Sequence, residues 1–237
     1  MIKIGGLQET TLIDFPGRIA ATVFVKGCNF RCPWCYSSEL VLPEKAAKHP
    51  EISEKKFFQF LKSRQNLLDG VVVCGGEPTV SEGLADFIKK IKQLGFLVKL
   101  DTNGSNPEVL KKIIGQKLVD YLAMDIKAPL SGRQKKKYDR LTGIKADLKK
   151  MRKSVEIIKN SGLDYEFRTT VVPGLLTRED ILQIARDISP AKKYFLQNFR
   201  PEKNLNPEAG RLKPYSSEYL LGIQKTIAPF FETCYVR

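Results

Sequence analysis

Short apolar runs alternate with longer amphipathic segments along almost the whole chain of 237 residues. The apolar runs are rich in β-branched residues and predict strands. They lie at 20–25, 70–74, 96–101, 121–126, 165–172 and 194–199. The amphipathic segments predict helices that begin near Ser53, Ser81, Pro107, Ala146 and Thr177. A last helix is predicted from Ser216 towards Phe231, before a short strand at 234–237.

This alternation of strand and helix predicts an α/β fold with parallel strands. Both an open barrel and a doubly wound sheet fit the pattern. In either architecture the active site lies in the loops that follow the strands. The unusual stretches of this chain all fall in or beside such loops, so we expect them at one edge of the fold. They are the cysteine cluster at 28–35, "CGGEPT" (74–79), "DTNGS" (101–105), "MDIKAP" (124–129), "VVPG" (171–174) beyond Arg168, and "LQNFRP" (196–201).

Three cysteines, Cys28, Cys32 and Cys35, lie within one predicted loop and suit a metal. A structural zinc site has four ligands, often as two short pairs, and this chain offers no second pair. Its single histidine, His49, is more typical of a loop than of a ligand. A cubane iron–sulfur cluster fits better, because three thiolates leave one iron open to an external chelator such as an amino acid.

The two remaining cysteines lie in predicted strands. Cys74 ends an apolar run near the predicted site, and Cys234 lies in the C-terminal strand. Neither has the spacing of a closed metal motif with the cluster. We therefore interpret both as strand packing, with metal binding by Cys74 as the less favoured alternative.

The net charge of +14 gathers in runs at 133–140 and 145–154. Such a surface suits RNA, an acidic protein or an anionic substrate, or is simply a solvated lysine face. No aromatic residues are interleaved as in a base-stacking platform, which disfavours nucleic acid.

No apolar stretch approaches the roughly 18 residues that span a bilayer, and the N-terminal segment has no secretory or transit pattern. We expect a cytoplasmic protein that does not bind membranes.

The cysteine motif and the Gly-Gly-Glu-Pro loop together resemble the radical S-adenosylmethionine (SAM) superfamily. Within it the chain is similar to activating enzymes of glycyl-radical enzymes, most of all to anaerobic ribonucleoside-triphosphate reductase activating proteins. The resemblance implies a partial (β/α)6 TIM-like barrel with parallel strands. It also implies one radical SAM domain over 1–237, with a core barrel at about 18–200 and a C-terminal helix and strand at about 214–237. The matching stretches are "LIDFPGRIAATVFVKGCNFRCPWC", "VCGGEPT", "LDTNG", "MDIKAP", "FRTTVVPG" and "LQNFRP".

The resemblance also implies the ligands of the site. Cys28, Cys32 and Cys35 would bind a 4Fe-4S cluster, and SAM would chelate its fourth iron. The other expected site residues have separate roles. They are Trp34 at the cofactor, Gly75, Gly76 and Glu77 at the amino group of SAM, Lys127 and Arg168 at its carboxylate or ribose, Gln197 at the adenosine, Asp101, Thr102 and Asp125 at a monovalent cation, and Asp14 near the substrate peptide.

The chemistry implied is reductive cleavage of SAM to methionine and a 5′-deoxyadenosyl radical, which abstracts a hydrogen atom. The expected substrate is a glycine on a partner glycyl-radical enzyme, such as anaerobic ribonucleotide reductase. A one-electron donor such as flavodoxin or ferredoxin would supply the electron. The alternatives are a minimal radical enzyme acting on a small molecule or RNA, and an iron–sulfur electron carrier or metal-stabilised binding module. Two departures weaken the choice of partner: Tyr36-Ser37 replaces a His-Asn pair of many activases, and a histidine near their site is missing.

Overall fold

The computed structural model describes residues 2–202 and 204–237, and within these ranges it contains eight strands and nine α-helices. The strands are β1 (Ile4–Thr11), β2 (Ala20–Val25), β3 (Gly70–Gly75), β4 (Leu97–Thr102), β5 (Tyr121–Asp125), β6 (Asp164–Val171), β7 (Ala191–Asn198) and β8 (Phe231–Val236). The helices are α1 (Ser38–Val41), α2 (Pro43–Lys48), α3 (Glu54–Ser63), α4 (Leu84–Gln93), α5 (Pro107–Gly115), α6 (Lys135–Thr142), α7 (Leu148–Lys159), α8 (Arg178–Ile188) and α9 (Ser217–Ile227). Short 3-10 turns lie at Pro78–Val80, Gly132–Gln134, Pro207–Arg211 and Ala228–Phe230.

The chain divides into two compact units. The first comprises Met1–Asn29, Glu39–Thr102 and Asn106–Leu122, and the second comprises Phe30–Ser38, Asn103–Ser105 and Ala123–Arg237. The prediction of one domain over 1–237 stays a prediction. None of the helices in the described residues is long and apolar enough to cross a membrane.

In the first unit, β2, β3 and β4 run parallel, and β1 pairs antiparallel with β2. The valines of "GVVVC" are almost completely buried, as expected of a central parallel strand with both faces covered. Helices α3 and α4 meet through Phe57 and Phe87, whose stacked rings lie 5.3 Å apart. The stacked rings hold these two helices against each other.

In the second unit, β6, β7 and β8 run parallel in chain order. The ladder pairs Phe167 with Tyr194 and Tyr194 with Cys234, so buried side chains adjoin from strand to strand. Helix α9 leads into β8, and Ile223 and Ile227 are on its buried face.

Most predicted elements are confirmed, and β2 has the predicted bounds of 20–25. The C-terminal boundaries are wrong: the last helix ends at Ile227, because Pro229 lacks the amide that would continue it, and the last strand begins at Phe231. Helix α4 begins at Leu84, since a 3-10 turn occupies the chain before Ser81. Helix α7 begins at Leu148, after an Asp147 cap.

Four elements were missed altogether: β1, α1, α2 and α6. Strand β1 reads "IGGLQETT" and alternates poorly between apolar and polar residues. Helix α6 reads "KKKYDRLT", in which the many charged residues obscure the apolar periodicity of a short buried face. Strand and helix periodicity is weak in segments this short or this polar.

Helix α8 begins with a complete capping box, as the sequence predicts. The Thr177 side chain accepts from the Asp180 amide, and the Asp180 carboxylate accepts from the Thr177 amide. We expect Thr177→Ala to lower the free energy of unfolding by about 1 kcal/mol, measured by urea denaturation. Thr177→Ser keeps a capping hydroxyl and is the control. Equal losses in both variants would contradict a capping role.

Candidate active site

In the first unit, two backbone hydrogen bonds hold the loop after β3 against the end of β2. We call residues 75–77 the glycine loop. The Gly76 amide donates to the Val25 carbonyl and the Glu77 amide to the Gly27 carbonyl, each over 2.8 Å. Gly75 has a φ of +111°, in the region that favours glycine. A Cβ on Gly76 would lie only 1.9 Å from the carbonyl oxygen of Gly27. Gly76 is therefore required by the close approach of this loop to Gly27, and Gly75 by its positive φ and its close approach to the Val25 backbone.

The Glu77 side chain is buried and joins the loops after β3 and β4. Its Oε1 accepts from the Thr79 amide at 3.1 Å, the Thr79 hydroxyl at 2.5 Å and the Thr102 hydroxyl at 2.7 Å. The Gly76 and Glu77 amides are used by carbonyls of the first unit. An ammonium group only donates hydrogen bonds, so the loop would bind one through its carbonyl oxygens.

Lys99 is a buried charge in β4 that the sequence analysis missed. Its Nζ donates to the backbone carbonyl of Asp14 and lies 3.2 Å from Oδ1 of Asp101. The same ammonium lies 5.7 Å from the centroid of the Tyr121 ring. The Asp14 carboxylate accepts from the Thr22 hydroxyl over 2.7 Å. Lys99 thus connects two predicted site residues, Asp14 and Asp101. The signal that could have found it is a lysine inside the apolar run "FLVKLD".

The cysteines outside the cluster motif have packing roles. Cys74 is half-buried and packs against an apolar cluster, and Cys234 is buried in β8, where burial raises its pKa to about 11. His49 Nε2 donates to the Gly5 carbonyl over 2.8 Å, which suits a loop histidine. These observations support the predicted interpretation of all three residues. The apolar cluster consists of Phe15, Ala20, Val72 and Tyr121.

In the second unit, Cys32, Trp34 and Cys35 lie on one tight loop. The Cys35 amide donates to the Cys32 carbonyl over 3.0 Å. The Cys32 thiol is buried and the Trp34 side chain is 3% exposed, whereas Cys35 is half-exposed. Burial raises the pKa of Cys32 to about 11, against the opposing effect of the nearby Lys127 charge. The Lys127 charge favours the thiolate form but does not outweigh the effect of burial.

Tyr36, which replaces a histidine of many activases, anchors this loop. Its hydroxyl accepts from the Arg200 amide over 2.8 Å, and burial raises its pKa. The Asn206 amide donates to the Pro33 carbonyl over 2.9 Å. The segment after β7 therefore holds the cysteine loop from two sides.

A network of charged side chains lies at the end of β5 and within β6, in the stretches "MDIK" (124–127) and "EFR" (166–168). Lys127 Nζ donates to one Asp125 oxygen and Arg168 Nε to the other, each over 2.9 Å. Arg168 also lies 3.8 Å from Glu166, which is fully buried and paired with Arg237 at 3.2 Å. The predicted residues Lys127 and Arg168 are thus brought together by one carboxylate.

The network sets the charge states of its members. Burial would raise the pKa of Asp125, but the charges of Arg168 and Lys127 outweigh it and hold that pKa well below its usual range. Burial would lower the pKa of Lys127, but the Asp125 charge outweighs it and raises that pKa. Asp125 and Lys127 are therefore both charged at neutral pH.

We expect Asp125→Asn to lower the free energy of unfolding by about 2 kcal/mol, because it removes a charged acceptor from two cations. A folded-state pKa below the unfolded value of about 3.9 means that this contribution is complete above about pH 4 and declines as the pH falls further. Urea denaturation of both proteins between pH 3 and pH 8 checks this. Asp164→Asn, which removes an exposed pair with Lys192, is the control and should cost under about 1 kcal/mol. A difference that stayed constant below pH 4 would contradict the assignment.

The structure distributes the predicted site residues over both units. Within the first, Glu77 contacts Thr102, and Lys99 links Asp14 with Asp101. Within the second, Gln197 lies half-buried on β7 beside Thr170 of β6. The first unit carries Asp14, Cys28, Gly75, Gly76, Glu77, Asp101 and Thr102, and the second carries Cys32, Trp34, Cys35, Asp125, Lys127, Arg168 and Gln197.

The chemistry of the donor set fits an iron–sulfur cluster. Cys28, Cys32 and Cys35 form no disulfide within the described residues, and soft thiolates are the ligands such clusters use. In the part of the chain that the structure describes, no three His, Cys, Asp or Glu side chains converge as ligands of a single metal ion. A cubane has a different requirement, because each cysteine binds a different iron.

Known proteins resemble this chain in sequence and in fold. The family model of the radical SAM superfamily matches residues 22–188. A Methanocaldococcus jannaschii protein named "Putative glycyl-radical enzyme activating enzyme MJ1227" is 30% identical over 240 residues, which cover 99% of this chain and 95% of that protein. A 7-carboxy-7-deazaguanine synthase of Thermococcus kodakarensis is 27% identical over 128 residues, 47% of this chain and 50% of that protein.

Among solved structures, Streptococcus suis SuiB superimposes with a TM-score of 0.63 at 14% identity. The match covers 89% of this chain and 47% of SuiB, so the chain spans about half the length of that protein. At this identity the likeness is one of fold. It confirms the predicted α/β class, the partial TIM-like barrel with parallel strands.

Proposed function

Because this chain belongs to the radical SAM superfamily, we propose that it cleaves SAM reductively and uses the 5′-deoxyadenosyl radical to generate a glycyl radical on a partner enzyme. That it is a radical SAM enzyme follows from the family. The choice of a glycyl-radical partner rests on one observation, the match along 99% of the chain to a protein named as a glycyl-radical enzyme activating enzyme.

We assign the cluster to Cys28, Cys32 and Cys35. When bound and reduced, the 4Fe-4S cluster supplies the electron that breaks a carbon–sulfur bond of SAM. Trp34 is buried on the cysteine loop and would help to keep the thiols of Cys32 and Cys35 in place. Burial of Cys32 also limits the access of water and oxygen to the cluster.

The binding of SAM is assigned to groups with matching charge. The carbonyl oxygens around Gly75, Gly76 and Glu77 accept hydrogen bonds from its amino group. Lys127 and Arg168 face its carboxylate or ribose, and their pairing with Asp125 fixes both cations in advance.

The remaining assignments are finer. Gln197 would contact the adenosine, and Asp14, held through Lys99 and Thr22, would lie near the substrate peptide. A monovalent cation at Asp101, Thr102 and Asp125 remains a prediction, and the pairing of both carboxylates with basic side chains weighs against it. A cytoplasmic location belongs to the same proposal.

The test uses a glycyl-radical enzyme, such as an anaerobic ribonucleotide reductase, prepared with deuterium at the glycine α-carbon. We expect deuterium to appear in 5′-deoxyadenosine and a glycyl radical to appear in the electron paramagnetic resonance spectrum. A partner with alanine at the radical glycine is the control and should transfer no label. Deoxyadenosine that never carries partner-derived deuterium would refute the partner assignment.

A second candidate is a small-molecule radical enzyme. The match to a 7-carboxy-7-deazaguanine synthase over 47% of the chain is the observation that favours it. The limited coverage of that match makes it the weaker proposal. Formation of deoxyadenosine with a purine-related substrate, without any protein partner, would favour it.

A further inference from the structure

We propose that the exposed basic surface of α6 and α7 docks an acidic protein that carries a one-electron cofactor and reduces the cluster. The inference rests on the proposed function, because a radical SAM enzyme needs an electron donor. We define this basic face as residues 131–153, which contain the Gly132–Gln134 turn, α6 and the first half of α7.

The basic face concentrates the charge of the molecule. Its residues include ten Lys or Arg and two Asp, so about a tenth of the chain carries +8 of the net +14. A positive field of this density speeds the approach of a negatively charged partner. Nine of the ten basic side chains are exposed, among them Arg133, Lys136, Arg140, Lys145, Lys149 and Lys150.

The two aspartates of the basic face are already engaged. The Asp139 carboxylate accepts from Lys135 Nζ and from the Ala146 amide, each over 2.8 Å. The Asp147 carboxylate caps α7 by accepting from the Lys149 amide over 2.9 Å. Both carboxylates are therefore engaged in hydrogen bonds within the basic face. The net exposed charge of the basic face is positive.

The basic face contacts the loop that carries Cys32. The Arg31 amide donates to the Thr142 carbonyl at the end of α6 over 2.7 Å. The backbone at Gly143 passes so close that a Cβ there would lie 2.5 Å from the Arg31 carbonyl oxygen. Tyr138 lies on the buried side of α6. Because electron transfer slows steeply with distance, a donor docked on α6 would have a short path to a Cys32-bound cluster.

The side chains of the basic face favour a protein over RNA. Its only aromatic residue is Tyr138, which is fully buried and cannot stack on a base. Single-stranded RNA is usually held by stacking on exposed aromatic residues as well as by charge. Charge complementarity without stacking is typical of transient docking between proteins, where it mainly increases the association rate.

The test reverses three charges in Lys136→Glu/Arg140→Glu/Lys149→Glu. These side chains are exposed, and Glu and Lys have similar helix propensities. With reduced flavodoxin as the acidic donor, anaerobic stopped-flow should show cluster reduction slowed about tenfold or more at low salt. Wild-type reduction should slow as the salt concentration rises.

The matched control, Lys89→Glu/Lys111→Glu/Lys112→Glu, changes the net charge equally on exposed positions of α4 and α5. It should be reduced by flavodoxin at the wild-type rate. A small neutral reductant, photoreduced 5-deazariboflavin, should reduce all three proteins equally and show that their clusters are intact.

Equal rates of reduction by flavodoxin in both triple variants would overturn the proposal. A second result would also overturn it: the basic-face variant no longer binds a labelled single-stranded RNA but is reduced by flavodoxin at the wild-type rate. That result would assign the surface to nucleic acid. A different result would contradict the proposed function: none of the three proteins forms deoxyadenosine after reduction by deazariboflavin. Cluster reduction by flavodoxin still decides the docking surface in that case.

Discussion

Replacing Cys32 by alanine is expected to abolish assembly of the cluster. Only three cysteines share the motif, and loss of one leaves two thiolates for a cubane that needs three protein ligands. Cys32 is also the buried member of its loop, so water cannot easily replace the missing sulfur. After anaerobic reconstitution, we expect iron and sulfide to fall to the level of unspecific binding, together with loss of deoxyadenosine formation.

Cys74→Ala is the matched control for this experiment. Cys74 packs against apolar side chains, so its replacement removes one sulfur from the interior without touching the cluster motif. We expect full iron and sulfide content and a stability loss of about 1 kcal/mol. A variant that lost the cluster would show that Cys74 is a ligand, and a Cys32→Ala protein with a full cluster would contradict the assignment of the motif.

Gly76→Ala is expected to lower the affinity for SAM. The added methyl group would lie 1.9 Å from the Gly27 carbonyl oxygen, which is backbone and cannot rotate away. Relief requires the glycine loop to move from the Val25 and Gly27 carbonyls, which costs about 1–3 kcal/mol. The carbonyl oxygens assigned to the SAM amino group move with it. Equilibrium dialysis with labelled SAM should show affinity at least about tenfold lower, which corresponds to about 1.4 kcal/mol.

Gly115→Ala controls for the addition of a methyl group. Gly115 is the last residue of α5, and a Cβ there would meet nothing within 4 Å. This variant should bind SAM like the wild type and be no less stable, because alanine favours a helix. If Gly76→Ala also bound SAM normally, the glycine loop would not hold the cofactor.

The sequence predicts the framework well because parallel buried strands leave a strong signal. The valine-rich run at 70–74 and the apolar run at 20–25 become β3 and β2 with almost no change of bounds. Placing active-site loops after strands then singled out the stretches "CGGEPT" and "MDIKAP" as candidates. Capping was equally legible at Thr177, where the predicted side-chain bonds are present.

Other features depend on contacts that a linear pattern does not carry. Lys99 became important only once the Asp14 backbone was seen beside its ammonium group. The role of Tyr36 follows from its bond to Arg200, 164 residues away. The basic run at 133–140 was apparent in the sequence, but the contact of the following Thr142 with the Cys32 loop was not. Such long-range partners require the folded chain.

The measurement that tests the central claim most directly is formation of 5′-deoxyadenosine by the reconstituted protein. The chain, loaded with iron and sulfide without oxygen, is mixed with SAM and a chemical reductant, and the products are quantified by chromatography. We predict equal amounts of 5′-deoxyadenosine and methionine, dependent on the reductant and absent with Cys32→Ala. A wild-type protein that holds the full cluster and binds SAM, yet forms no deoxyadenosine beyond that variant, would contradict the account.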